Sequence, residues 1–263
     1  MNPIKYLYPN GGNLAVTFSY DDGRDHDRRL IEIFNRYGMK ATFHLNSGNL
    51  DKPGYIRCDE VSTLYKGHEI AAHTVTHPFM SNQPAEVNLP ELTEDRRRLE
   101  ELVGYPVRGF SYPFGDAGGD AVSHVKAAGL DYARTVTATN DFFWPLNFWL
   151  WHPTCHDKGA DGLIPKFTRK SSWNVLRLFY IWGHSYEFEE GNGWVEFEDL
   201  CKKLNEIPNC WFATNAEIMT YVQAVRAMRF SVDGKFAVNP SASDVYIWYN
   251  DKAIALKPGL NVI

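Results

Sequence analysis

From Leu14 to Val136 the chain alternates short apolar runs with charged, helix-spaced runs, and that alternation leaves few folds open. Leu14–Tyr20, Lys40–Leu45, His68–His73, Val107–Tyr112 and Tyr132–Val136 are rich in β-branched and aromatic residues and read as strands. Between them Arg24–Tyr37, Asp59–Lys66, Pro90–Val103 and Gly119–Ala128 read as helices, with Gly38, Gly104 and Gly129 as stops. Strands alternating with helices predict an α/β fold on a parallel sheet, open or closed into a barrel. Thr137–Lys170, aromatic and broken by proline, reads as a long loop over a site. Arg177–Trp182 then predicts a strand ending at Gly183-His184, Trp194–Ile207 a helix and Cys210–Thr214 a strand. Asn215 is the expected N-cap of a helix running to about Met228. Phe230–Ile263 alternates, with turn signals at Asp233-Gly234, Asn250-Asp251 and Pro258-Gly259, and predicts a small antiparallel β appendage. The expected division is therefore a main α/β domain over 1–228 and an appendage over 229–263.

Bulk properties remove several classes of function. A net charge of −5 offers no basic field for nucleic acid, and no Lys/Arg run suits an anionic membrane. No window approaches the ~18 apolar residues that span a bilayer. Cys58, Cys155, Cys201 and Cys210 are widely spaced and read as reduced or buried thiols rather than a disulfide frame or zinc-thiolate site. MNPIKYLYPNGG shows no basic stretch leading into an apolar one, which predicts a cytoplasmic location. Nothing in the sequence fixes an oligomeric state. Fourteen Tyr and eight Trp supply aromatic surface of the kind a sugar cleft uses, although such residues more often fill cores.

In parallel α/β folds chemistry gathers where strands end, and the unusual polar residues of this chain lie there. Leu14–Tyr20 runs into Asp21-Asp22-Gly23. Successive strand side chains point to opposite faces, so the two carboxylates share a direction only if the chain turns, which Gly23 permits. Alone, such a triplet reads as a solvated turn. Fifty residues on, His73 and His77 stand four apart, a spacing that converges on one ion if the segment is helical or tightly turned. Two histidines and an aspartate make a three-ligand set with open positions, the catalytic rather than the structural type of metal site.

Four segments then occur in register: Ser19-Tyr20-Asp21-Asp22-Gly23; Gly67-His68-Glu69-Ile70 with His73-Thr74-Val75-Thr76-His77-Pro78; Tyr112-Pro113-Phe114-Gly115; and Trp182-Gly183-His184. Together with Ala41-Thr42-Phe43 they resemble the motifs of the polysaccharide deacetylase family, the NodB-homology domain of carbohydrate esterase family 4, over roughly residues 14–225. The resemblance implies a distorted (β/α) barrel, similar to a TIM barrel but with fewer strands. It implies a hydrolase that removes the acetyl group from an N-acetylated sugar or polysaccharide, using a divalent metal, zinc first and cobalt, nickel or manganese as alternatives. Asp21 would then be the general base that activates a metal-bound water, and Asp22, His73 and His77 the ligands. His184 would protonate the leaving amine. Tyr112, Pro113, Phe114, Trp144 and Trp182 would line the substrate groove, and a backbone N–H at Tyr112 or Phe114 would meet the oxyanion.

Two departures from that pattern stand out. An arginine expected before the Pro-aromatic-Gly segment is replaced by Ser111, and Arg134 in the next strand is the expected substitute for orienting Asp21. The acidic residue that tunes the histidine has Asp141, with Trp144, as its nearest counterpart. His152 and His156 read as surface loop residues, His44 as an interior one, and Ser185 and Glu187 as either orienting groups or a plain turn. The rival readings are a metal amidohydrolase of the same fold acting on a small non-sugar amide, and a carbohydrate-binding module without activity.

Overall fold

The chain enters the fold through a short strand β1 (Lys5–Leu7) and the eight-residue β2 (Leu14–Asp21), followed by α1 (Asp27–Arg36) and β3 (Ala41–Leu45). The structure is a computed structural model that describes residues 4–169 and 175–263. There follow α2 (Val61–Leu64), β4 (Glu69–Ala72), α3 (Ala85–Val103), β5 (Gly109–Ser111), α4 (Ala121–Ala127) and β6 (Tyr132–Arg134). After a long irregular segment come β7 (Cys155–His156), α5 (Ile164–Thr168), β8 (Arg177–Gly183), α6 (Gly193–Asn205), β9 (Cys210–Phe212) and α7 (Asn215–Ala227). The remainder is β10 (Arg229–Phe230), β11 (Phe236–Asn239), β12 (Val245–Tyr249), β13 (Lys252–Leu256) and β14 (Gly259–Val262).

The main sheet runs β6-β5-β4-β3-β2-β8-β7, with β9 also beside β2, and every pairing in it is parallel. β2 accommodates three neighbours because its first half pairs with β9 (Leu14↔Cys210) and its second half with β3 (Asp21↔His44). The segment from Trp151 to His156 draws the two edges together. Trp151 bridges Arg134 of β6, while Cys155 and His156 pair with Ile181 and Trp182 of β8. This is the expected α/β architecture, a distorted barrel.

Alternation along β2 sorts its side chains onto two faces. Val16, Phe18 and Tyr20 pack with Phe34 of α1 and Phe197 of α6 in the outer core, all buried. Burying a side chain of that size is worth roughly 2–3 kcal/mol. Thr17, Ser19 and Asp21 take the other face and are satisfied there: Thr17 donates to Asn215 at 2.8 Å, and Ser19 accepts from Arg134 at 3.0 Å. A second apolar cluster, with Tyr132, Trp151, Tyr180 and the inner side of α7, closes the amino-terminal end of the barrel.

Several expected boundaries shift for local reasons. α3 begins at Ala85 rather than Pro90, so Pro90 lies inside it. The buried stripe Asn88, Leu92, Asp95, Leu99 at helical spacing offsets the lost hydrogen bond. The cap of α7 is Thr214, not Asn215: its hydroxyl accepts from Glu217 N–H at 3.2 Å while Glu217 accepts from Thr214 N–H at 2.9 Å, a capping box. Asp59–Lys66 divides into a 3-10 turn (Cys58–Glu60) and α2. The expected loop over 137–170 contains β7 and α5, the former too short to leave a periodic signal; Lys170 lies outside the described residues. The C-terminal strands are antiparallel, and the expected turns show positive φ at Gly234, Asn250, Asp251 and Gly259. They form two small sheets, β10-β11-β14 and β1-β12-β13, the second of which takes in the N-terminal strand.

Candidate active site

Asp21 is the last residue of β2, and the chain turns immediately after it. Asp22 has φ 81° and Gly23 φ 66°, with Asp22 N–H donating to His44 C=O at 2.9 Å. That left-handed step brings two adjacent carboxylates to one side of the barrel mouth. Asp21 is buried and tied on both oxygens. Arg134 donates to Oδ2 through Nη2, and Ser111 Oγ donates to Oδ1 at 3.0 Å. Arg134 is itself completely buried, with Nε on Ser19, Nη1 on the Thr135 carbonyl at 3.1 Å and the Trp182 ring 4.6 Å from its guanidinium. Burial alone would push the Asp21 carboxyl up. The Arg134 charge, with smaller contributions from His73, His44 and His184, outweighs it and holds the group well below the usual carboxylate range.

His73 and His77 follow β4 in a tight turn rather than a helix, with positive φ at Thr74 (67°) and His77 (63°). The turn is fixed from beneath. Asp95 of α3 accepts from His73 N–H at 2.9 Å and Ser47 N–H at 2.7 Å, and Asn46 donates to His73 C=O. The Glu91 carboxylate holds Thr76 through its N–H at 2.8 Å and its hydroxyl at 2.9 Å. Of the nine non-glycine residues with positive φ among the described residues, Asp22, Thr74, His77 and Phe114 all sit here. Backbone strain is concentrated at the barrel mouth, as at many functional sites.

His73 Nε2 lies 3.6 Å from Asp22 Oδ1, and His77 Nε2 lies 3.8 Å from the same oxygen. The three donor atoms fall within 4.8 Å of one another. Such spans suit ligands around one ion at about 2.1 Å. His73 Nδ1 is 2.7 Å from the Ser111 carbonyl, and burial keeps this imidazole neutral, which directs the Nε2 lone pair at the ion position. Two imidazoles and a carboxylate fit zinc, cobalt or nickel better than magnesium or calcium.

Around this centre the expected groove residues separate into two groups. Phe114, at φ 57°, is turned outward, half exposed, edge-on to His77 at 4.4 Å and stacked on Phe79 at 4.0 Å. Trp182 stands between Arg134 and His184, its ring 5.6 Å from that of His184. Tyr112 and Pro113 are buried. The Tyr112 N–H donates to Arg134 C=O at 3.0 Å and its hydroxyl to Trp149 C=O at 2.9 Å, so of the two expected oxyanion donors the Phe114 amide is left. Trp144 and Asp141 are not brought to the site. Trp144 donates to the Tyr8 hydroxyl at 2.8 Å, next to the start of β8, and Asp141 pairs with Lys166 on the surface. The loop between β6 and β7 runs to the opposite end of the barrel there.

His184 follows β8, with Glu187 Oε1 3.6 Å from its Nδ1. Burial pulls the imidazole down, but Glu187, then Asp21 and Asp22, outweigh it and raise it above its ordinary value. Ser185 turns away and donates to the buried Asp27 at 2.5 Å. His44 is interior, its imidazole held neutral at about 3 by burial. His152 is exposed and paired with Thr135 at 2.5 Å, whereas His156 is partly buried beside Glu187. Asp95 and Phe79 carry no assignment from the sequence, His156 reads there as a surface loop residue, and Ser111 only as the place of a missing arginine. Phe79, two residues after His77, and Ser111, directly before Tyr112, both lie beside recognised motifs.

Comparison with known proteins finds relatives for this arrangement. The sequence model of the polysaccharide deacetylases matches residues 9–133, a little under half of the chain. Over that span the sequence is similar to the polysaccharide deacetylase family. A peptidoglycan-N-acetylglucosamine deacetylase of Bacillus cereus is 22% identical over 186 residues, 69% of this chain and 78% of the relative. A chitin deacetylase of Arthroderma benhamiae is 29% identical over 132 residues, 49% of this chain but only 30% of the relative's length. Among solved structures, a Mycobacterium smegmatis protein assigned as a polysaccharide deacetylase superposes with a TM-score of 0.61 at 15% identity, covering 86% of this chain and 96% of the other. A family 4 acetyl xylan esterase of Clostridium thermocellum, solved with a cobalt ion, gives 0.56 at 17% identity over 78% and 90% of the two chains. At such identities the structural likeness speaks to the fold.

Proposed function

We propose that this chain is a metal-dependent hydrolase that removes the acetyl group from an N-acetylated sugar or polysaccharide. The observation that carries the reading is the convergence of Asp22, His73 and His77 beside the buried Asp21–Arg134 pair. When bound, a divalent ion at the three donors acts as a Lewis acid, polarising the acetyl carbonyl and acidifying water to a pKa of about 7. Asp21, kept ionised by Arg134, accepts the proton of the attacking water. The Phe114 N–H would serve as the donor to the oxygen on which charge develops. His184 donates the proton that the departing nitrogen requires, since an amine does not leave as its anion. The Phe79–Phe114 pair offers an aromatic shelf against which the apolar face of a sugar ring can rest.

The missing arginine at Ser111 keeps a non-sugar amide open as a rival substrate. Arg134 supplies the cation that Ser111 lacks, and Ser111 itself holds the base, so the motive for that alternative weakens. The test is acetate release from a panel of N-acetylated saccharides with added zinc, cobalt, nickel or manganese, alongside Asp22→Ala. Activity on the saccharides that disappears in Asp22→Ala supports the reading. Substantial activity in that variant sinks the ligand assignment.

A further inference from the structure

Four ionisable side chains stand in a row beside Trp182, at the carboxyl ends of β7 and β8. His156 Nδ1 is 2.9 Å from Asp157 Oδ1, and its Nε2 is 2.9 Å from Glu187 Oε2. The other Glu187 oxygen lies 3.6 Å from His184 Nδ1. The far end of the row is fixed in the core: Tyr20 donates to Asp157 Oδ2 at 3.1 Å. A Cβ on Gly183 would come within 2.3 Å of that oxygen, so glycine is what lets Asp157 lie against β8. The near end is set by the 3-10 turn Ser185–Glu189, where Glu187 N–H donates to His184 C=O at 3.1 Å and swings the carboxylate back toward the histidine. Trp182 presents its ring edge-on to both imidazoles, at 4.9 Å from His156 and 5.6 Å from His184.

We propose that His156 is a positioning residue: held between Asp157 and Glu187, it fixes the Glu187 carboxylate, whose charge, 3.6 Å from His184 Nδ1 and beyond hydrogen-bond length, favours the ring orientation that leaves Nε2 for the leaving group. The proposal rests on His184 being the general acid. The charged groups that face His156 are Asp157, directly after its own strand, and Glu187 from the turn after β8; the Lys158 backbone N–H lies 3.4 Å from Nδ1. Burial pulls His156 down, but the two carboxylates outweigh it and push it up to about 9, while Glu187 is held far below its usual range despite its own burial. The row therefore sets His156 between two carboxylates and Glu187 between two imidazoles. A carboxylate with a fixed cation behind it has one stable orientation, whereas an unpaired one samples several. His156, Glu187 and His184 also meet the distance requirement for holding a cation, which the test must separate.

The experiment is a ring-nitrogen NMR titration of the histidines in the metal-free chain, for the native protein and Glu187→Gln, with kinetics and zinc stoichiometry on Glu187→Gln, His156→Gln and the double variant. His156 is expected to stay protonated to about pH 9 in the native chain and to fall toward the ordinary value of about 6.5 in Glu187→Gln. His156→Gln is expected to lower kcat about tenfold with KM and zinc content unchanged, and to add nothing on top of Glu187→Gln. A native His156 that titrates like a free imidazole, fully additive kinetic losses, or loss of a second zinc equivalent in His156→Gln would each overturn the proposal. The NMR result does not depend on acetate release, so an inactive chain with an intact row tells against the functional reading rather than the row.

Discussion

Arg134→Met removes the cation buried against Asp21 and leaves an unbranched apolar side chain in part of its space. Asp21 and Arg134 are buried to 3% and 0% exposure, so water does not replace the lost partner. Breaking a buried pair from one side costs about 3–5 kcal/mol. The hydrogen bonds from Arg134 to Ser19 and Thr135 disappear with it. The pH dependence fixes the cause. In the native chain the Asp21 carboxyl is held below its unfolded value of about 3.9, so its contribution is present above that pH and fades only in stronger acid. In the variant, burial alone raises the carboxyl, so the variant loses stability as pH rises. Urea unfolding of the metal-free proteins at pH 8 and pH 5 should therefore show a gap that narrows toward acid. In acetate-release assays the acid limb of kcat/KM should move to higher pH, because the base must be ionised. A gap below about 1 kcal/mol at pH 8, or an unmoved acid limb, would refute the assignment of Arg134 as the group that keeps Asp21 charged.

Three further expectations follow from the same geometry. His184→Gln should lower kcat by about 10²–10⁴ without changing metal content, and the alkaline limb of the native profile should lie above the ordinary imidazole value because Glu187 raises His184. Phe79→Ala should weaken kcat/KM on oligosaccharides roughly fivefold, the worth of about 1 kcal/mol of ring stacking, with no effect on metal affinity. Asp27, buried against Ser185 and Tyr65, is raised by burial to about 7. Native stability should accordingly fall as pH rises from about 4 to 7, and Asp27→Asn should flatten that slope in urea titrations.

The barrel was legible because its strands and helices repeat often enough for periodicity to register, and the mouth was legible because Asp21-Asp22, His73, His77 and His184 fall at strand ends. Arg134 was readable as the partner of Asp21 only because β6 lies next to β5, one strand over from the vacancy at Ser111. What escaped depends on long-range placement. Asp141 and Trp144 look suitable by sequence distance, yet the segment after β6 carries them to the other end of the barrel. His156 looks like a loop histidine until a two-residue strand too short to leave a pattern pairs it with Trp182. The polar inner face of β2 reads in sequence as an ordinary solvent-facing alternation. Only closure of the barrel makes Thr17, Ser19 and Asp21 an interior network.

The central claim is that adjacent aspartates divide the work, Asp22 holding the ion and Asp21 serving as base. Measuring metal content and acetate release together on Asp21→Asn tests it most directly. Asp21→Asn is expected to retain the metal of the native chain and to release acetate at a rate reduced by about 10² or more. An Asp21→Asn protein that binds metal and keeps full activity would contradict it.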